Sequence, residues 1–252
     1  MLTTPLGKLL VQRLVDSVGL TGIPSLSEAF IARAAIRCGL DLSPWSAVRE
    51  ELMTRLTADQ GRLPQAADLL VSSKAADRWW SNLNRVQQVW VGRSATGPNE
   101  DDFKVDTAPF RPGITKPRTA FWTCTYADGI GSGWIEWLRW GDDQRPGPYH
   151  PWRVSAPDSS RVAEIHSAKD WHGFVETCPA RKGHRGLLVP DWSLASRQWD
   201  AVHLSMGGFL TAQGVEYSAG GTTTKLNGWG FESTVWLRWV FAEVAELPLE
   251  PN

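Results

Sequence analysis

Tryptophan constrains this chain more than any other residue type: 15 indoles occur in 252 residues, and all but Trp45 lie at Trp79 or beyond. Each indole brings a large apolar body to bury and a single N–H that needs a partner. A segment carrying so many must form a thick aromatic core, and composition therefore divides the chain near residue 78. The rest is ordinary for a globular protein, with 42% hydrophobic and 21% charged residues. A net charge of −1 supplies no basic field, so extended nucleic-acid binding and membrane-surface binding are not expected.

Cys38, Cys124 and Cys178 are widely spaced and form no C-x-x-C pair. Neither a disulfide framework nor a metal site is indicated, and a reducing, cytoplasmic setting fits. The first twenty or so residues carry Lys8, Arg13 and Asp16 within an apolar pattern. That pattern is an amphipathic helix, not a leader or a membrane span.

Up to residue 78 the sequence predicts four short helices. Leu6, Leu9, Leu10, Leu14 and Val18 follow helical spacing, with Gly19 as a stop. Ser25 and Glu28 have capping-box spacing ahead of a second helix, and Ser43 with Pro44 opens a third. A fourth starts after Pro64 and runs toward residue 83. These helices make a small bundle that docks a protein partner or caps the rest. From residue 79 onward β-forming stretches dominate: VQQVWVGR, TAFWTCTY, RVAEIH, GLLVPDW, FESTVWLRWVF, and WDAVHLSMGGFLT as a strand or a strand with a turn. GSGWIEWLRWG reads as a short helix capped by Ser132, and SAKDWHGFVETCP as one capped by Ser167. GVEYSAGGTTTKLNGWG reads as loop. The expected fold is α+β, with residues 1–78 a helical bundle and residues 79–252 a mixed, Trp-rich domain on a split or curved antiparallel sheet.

No dinucleotide fingerprint, phosphate loop, nucleophile elbow or zincin motif is present. His166 and His172 flank Asp170 without metal-ligand spacing. Cys124, between two threonines in an apolar strand, reads as a small buried hydrophobe.

Two stretches stand out: FWTCT followed by GSGWIEWLRW, and later GWGFESTVWLRWVF, a strong strand opening on the lone carboxylate Glu232. Together they resemble the ADP-ribosyltransferase superfamily over residues 87–241. There, a strand with an aromatic and Ser/Thr signature precedes a helix over the NAD pocket, and a later strand begins with the catalytic glutamate. KPRTAFWT and WDAVHLSMGGFLT also resemble stretches of uncharacterised phage and actinobacterial proteins. The resemblance implies an ADP-ribosyltransferase-like fold and NAD as substrate, with Glu232 catalytic. It implies Thr123 and Thr125 as hydroxyls for the ribose or the glutamate, and Trp122, Tyr126 and Trp134 as nicotinamide walls. Arg93, or Arg118 in competition with it, would meet the diphosphate. Gly230 stands where the arginine-modifying branch carries Glu or Gln, so arginine is disfavoured as acceptor. A nucleic acid, a nucleotide or another protein group remains, in the manner of a toxin or defence effector.

Other chemistries fit the same residues. A carbohydrate-binding module would present coplanar tryptophans on an open face, with Asp142, Asp143 and Asn227 as polar contacts. A glycosidase would face two carboxylates toward each other, for instance Glu136 and Glu232. A protein without chemistry would have no polar-lined cavity.

Overall fold

A computed structural model of the chain describes residues 2–42, 48–56, 61–101, 103–109, 114–127, 131–140, 148–180 and 186–248. The expected Ser43–Pro44 helix start lies outside these residues, as do Asp142 and Asp143.

Helix α1 (Pro5–Gly22) begins on Thr4, whose hydroxyl accepts from the Gly7 N–H and donates to the Leu210 carbonyl. Gly19 breaks the helical path with φ 66°, and one more turn follows. Helix α2 (Glu28–Asp41) starts two residues later than the capping-box spacing suggests. Pro24 sits in a tight turn over Ile23–Ser25, which leaves Ser27, in extended conformation, to accept from the Phe30 N–H at 3.2 Å. Helix α3 covers Arg49–Arg55 and α4 covers Leu63–Val71. The fourth helix stops short of its expected end because Ser72 and Ser73 turn their hydroxyls back onto the Asp68 and Leu70 carbonyls.

Strands β1 (Gln88–Gly92), β2 (Asp106–Pro109), β3 (Pro117–Thr119) and β4 (Phe121–Thr125) follow. Next come α5 (Gly133–Trp140), β5 (His150–Ser155), β6 (Val162–Ile165), α6 (Ala168–Thr177), α7 (Trp192–Gln198) and β7 (Ala201–Leu204). The chain continues through α8 (Met206–Ala212), β8 (Glu216–Ala219), β9 (Thr222–Lys225), β10 (Ser233–Trp236) and β11 (Glu243–Glu246). Seven strands form one sheet in the order β11-β5-β1-β4-β10-β7-β6. Every pair is antiparallel except β6–β7, which α6 and α7 join as a crossover. The fold is α+β.

Several expectations are corrected. GLLVPDW forms no strand: Pro190 has no N–H to give, and Asp191 instead caps α7 by accepting from Ser193 and Leu194. GVEYSAGGTTTKLNGWG is a hairpin, β8–β9, turning at Gly220 and Gly221 with φ 57° and 81°. WDAVHLSMGGFLT is a strand that passes into a helix, with Ser205 capping the latter through the Gly208 N–H.

The helices and the sheet share one core. Leu10, Leu14, Ile31 and Leu70 belong to the same buried cluster as Trp171, Phe209, Trp229 and Val235, so apolar packing is continuous through residue 78. Close approach fixes α2 on this layer. A Cβ at Gly39 would lie 2.5 Å from the Gly230 carbonyl oxygen and 2.6 Å from the Phe209 ring. Gly39→Ala is therefore expected to destabilise the protein by about 1–3 kcal/mol, read as a lower urea midpoint with an unchanged slope. A midpoint at or above wild type would show that α2 has room there.

Candidate functional site

The register of the central strands brings four polar side chains together. β4 and β10 pair with Thr123 opposite Thr234, which puts Glu232, just before β10, beside Thr125 at the end of β4. On the other side of β10, His203 of β7 faces Thr234, and Glu164 of β6 is in register with His203. Glu232 accepts from the Thr125 hydroxyl at 2.9 Å and from the Thr125 N–H at 3.2 Å. His203 bridges the two carboxylates, with Nε2 3.2 Å from Glu232 and Nδ1 2.6 Å from Glu164. The Leu83 N–H donates to the other Glu164 oxygen at 3.1 Å.

The imidazole is 3% exposed, and burial alone would pull its pKa down. The hydrogen bonds to Glu164 and Glu232, with their charges, outweigh burial and lift His203 from 6.5 to about 9. Burial acts to raise Glu164, but His203 and the Leu83 amide hold it below its ordinary value. At neutral pH the bridge is an imidazolium donating from both nitrogens. It is a fixed positive charge behind Glu232, not a general base.

Glu232, Thr125 and His203 open onto a cavity of about 570 Å³, within the span of roughly 300–1,000 Å³ usual for small-molecule and cofactor sites. Helix α2 contributes Glu28, Ala32 and Ile36 to its wall. The segment leading into β1 adds Arg78, Trp79, Asn82 and Asn84, and Tyr126 and Ser132 close another side. Arg78 is exposed, and its guanidinium has no ion-pair partner among the described residues. The helices at the start of the chain thus build part of the site.

Of the residues singled out from sequence, the structure brings Glu232, Thr125 and Tyr126 to the cavity. Thr123 is fully buried behind it, bonded to Gln88 and Trp236. Strand alternation turns Trp122 with Cys124 to the other face from Thr123 and Thr125, where Trp122 packs edge-on to Trp229. Trp134 packs edge-on to Trp137 and Phe231, and Ser132 and Gly133 before it reach the cavity instead. Arg93 lies past the far end of β1, five residues or about 16 Å from Gln88, and its guanidinium is 5.6 Å from the Tyr149 ring centre. Arg118 pairs with Asp106 at 3.7 Å on the separate β2–β3 ribbon. Neither arginine lines the cavity.

Sequence reasoning missed His203, Glu164, Gln88 and Arg78. A signal for the first two was present: each is a lone polar residue inside a short apolar strand, VAEI and AVHL. The other candidates separate. His166 meets Asn82 while His172 meets Thr224, so the two do not converge. Cys124 is fully buried, and burial followed by the Glu232 charge pushes its thiol well up, as suits an inert core residue.

No family model matches this chain, and neither does any curated protein or solved structure. Among the described residues no helix is long and apolar enough to cross a membrane.

Proposed function

We propose that this chain is an ADP-ribosyltransferase-like enzyme that takes NAD as substrate and uses Glu232 as its catalytic carboxylate. The observation that carries the reading is the seat of Glu232. A carboxylate opens a central strand, takes two hydrogen bonds from Thr125 on the neighbouring strand, and forms part of a cavity wall.

Transfer breaks the bond between the ribose C1′ and the nicotinamide nitrogen, and nicotinamide leaves with the bonding pair. Positive charge develops on the ribose, and a carboxylate held beside the 2′-hydroxyl stabilises it without having to reorganise. The acceptor's oxygen or nitrogen then bonds to C1′ and loses a proton. Thr125 and His203 hold Glu232 by donation, so its position is set before substrate arrives. Tyr126 offers a ring face to nicotinamide. Arg78 takes the diphosphate role that Arg93 and Arg118 are too remote to fill.

The competing chemistries lose the particular residues that suggested them. Among tryptophans whose side chains are described, Trp80 at 37% is the most exposed, and indoles that meet one another, such as Trp122 with Trp229 and Trp134 with Trp137, do so edge-on or tilted. A sugar platform needs the opposite. Glu136 is buried, pairs with Arg33 at 3.8 Å and does not line the cavity, so it is not the second carboxylate of a glycosidase.

Titration calorimetry with NAD and chromatographic assay of nicotinamide release test the reading. Wild type is expected to bind NAD and release nicotinamide; a protein that does neither refutes it. Arg78→Ala is expected to weaken NAD binding about tenfold with stability unchanged. Equal affinity would remove Arg78 from the site.

A further inference from the structure

Behind Thr125 runs a hydrogen-bonded chain whose direction is fixed by chemistry. It starts at Trp236 on β10, whose indole Nε1–H can only donate and reaches the Thr123 hydroxyl at 2.8 Å. With that oxygen already accepting, the Thr123 O–H is directed to the Gln88 Oε1. This sets the Gln88 amide, and its Nε2 donates to the Asn84 carbonyl at 2.9 Å and to the Thr125 hydroxyl at 3.1 Å. The Asn84 carbonyl favours the same amide orientation, because an oxygen placed there would face another oxygen, and the Thr123 O–H at the other end fixes the amide in place. Having accepted from Gln88, the Thr125 hydroxyl keeps its proton for Glu232 at 2.9 Å. Trp236, Thr123 and Gln88 are each fully buried, so water offers no alternative partner.

The geometry points to Trp236, Thr123 and Gln88 as positioning residues that hold the Thr125 hydroxyl as a donor to Glu232. The catalytic role of Glu232 rests on the reading above; the direction of the chain does not. None of the three touches substrate. Their contribution is to leave the Thr125 hydroxyl one orientation in place of three. Glu232 then receives a preset donor whose cost of ordering is met on folding.

Two nearly isosteric variants test this. Thr123→Val removes the hydroxyl and keeps the shape, and Gln88→Met removes the amide and keeps the length. The readout is the pair of downfield proton signals from the His203 imidazolium. Its Nε2–H shares the Glu232 oxygen with Thr125, and its Nδ1–H faces Glu164 and serves as an internal control. In each variant the Nε2–H signal is expected to shift while Nδ1–H stays in place, and nicotinamide release should fall about tenfold, the usual scale for one misdirected buried hydrogen bond. Thr123→Ser is expected to restore both. If either variant folds with the Nε2–H signal unmoved, the proposal is overturned. A loss of stability without that shift would mark a packing role and overturns it equally. Should wild type release no nicotinamide, the functional reading falls, while the proton signals still decide the chain.

Discussion

Glu232→Gln is expected to lower nicotinamide release by a factor of about 10²–10³, the range seen when a preset electrostatic stabiliser is removed. NAD affinity should stay within roughly threefold of wild type, because the charge on the ribose exists only in the transition state and the ground state loses little. The glutamine fills the same volume. Its amide oxygen still accepts from the Thr125 hydroxyl and from His203, the contacts that now reach Glu232 at 2.9 and 3.2 Å, while its NH2 replaces the oxygen that accepts from the Thr125 N–H. A fall in turnover at constant affinity therefore isolates the charge from the shape. Single-turnover measurement with saturating NAD separates the two. A Gln variant that turns over like wild type would show that Glu232 is only a buried anchor for Thr125 and His203.

The second large effect is on stability against pH. His203 is raised from 6.5 in the unfolded chain to about 9 in the folded protein. A raised basic group stabilises fully below its unfolded value and loses that contribution as pH climbs through the folded one. The stability lost between pH 6 and pH 10 from this group is on the order of 3 kcal/mol. Glu164 gives the mirror image. Its lowered pKa contributes stability above the ordinary carboxylate value, lost as acid protonates it. Both shifts describe one pairing, so they count once. Urea unfolding at pH 6, 8 and 10 should give a falling series for wild type. In Glu164→Gln the protein should be less stable at pH 6, by several kcal/mol, because the buried imidazolium loses a partner. Its slope from pH 6 to 10 should also be shallower. Equal slopes in the two proteins would show that the Glu164–His203 pair does not carry the alkaline loss.

Much of this site could be foreseen from local pattern, and the rest depends on pairings between distant residues. Glu232 stands out because a carboxylate next to an apolar strand has to face something polar. Thr125 and Thr123 follow from the same alternation, since residues two apart share a face. Which of the two meets Glu232 is a matter of register, and register between β4 and β10 is set across more than a hundred residues. Glu164 and His203 lie on parallel neighbours joined by two helices, a contact that no local window contains. Arg93 follows β1, but the site is at the other end of that strand, where Gln88 begins it. The strands β5 and β11 escaped notice for a different reason. One begins His-Pro, the other is fully exposed, and neither shows the alternation of a half-buried strand. Amphipathic spacing identified α2 but not what its apolar face would cover, because spacing gives the direction of a stripe and not its partner.

The order of strands in the sheet has a kinetic consequence. Thr125 and Glu232 are 107 positions apart, and the ribbon pair that unites them sits at the middle of the sheet. Closing so long a loop before any contact rewards it is slow, whereas the contacts of α1 with α2 and α4 close shorter loops. During folding, those helix contacts are expected to form before the carboxylate finds its threonine. The pairing that builds the site is thus expected to be among the last parts of the fold to form.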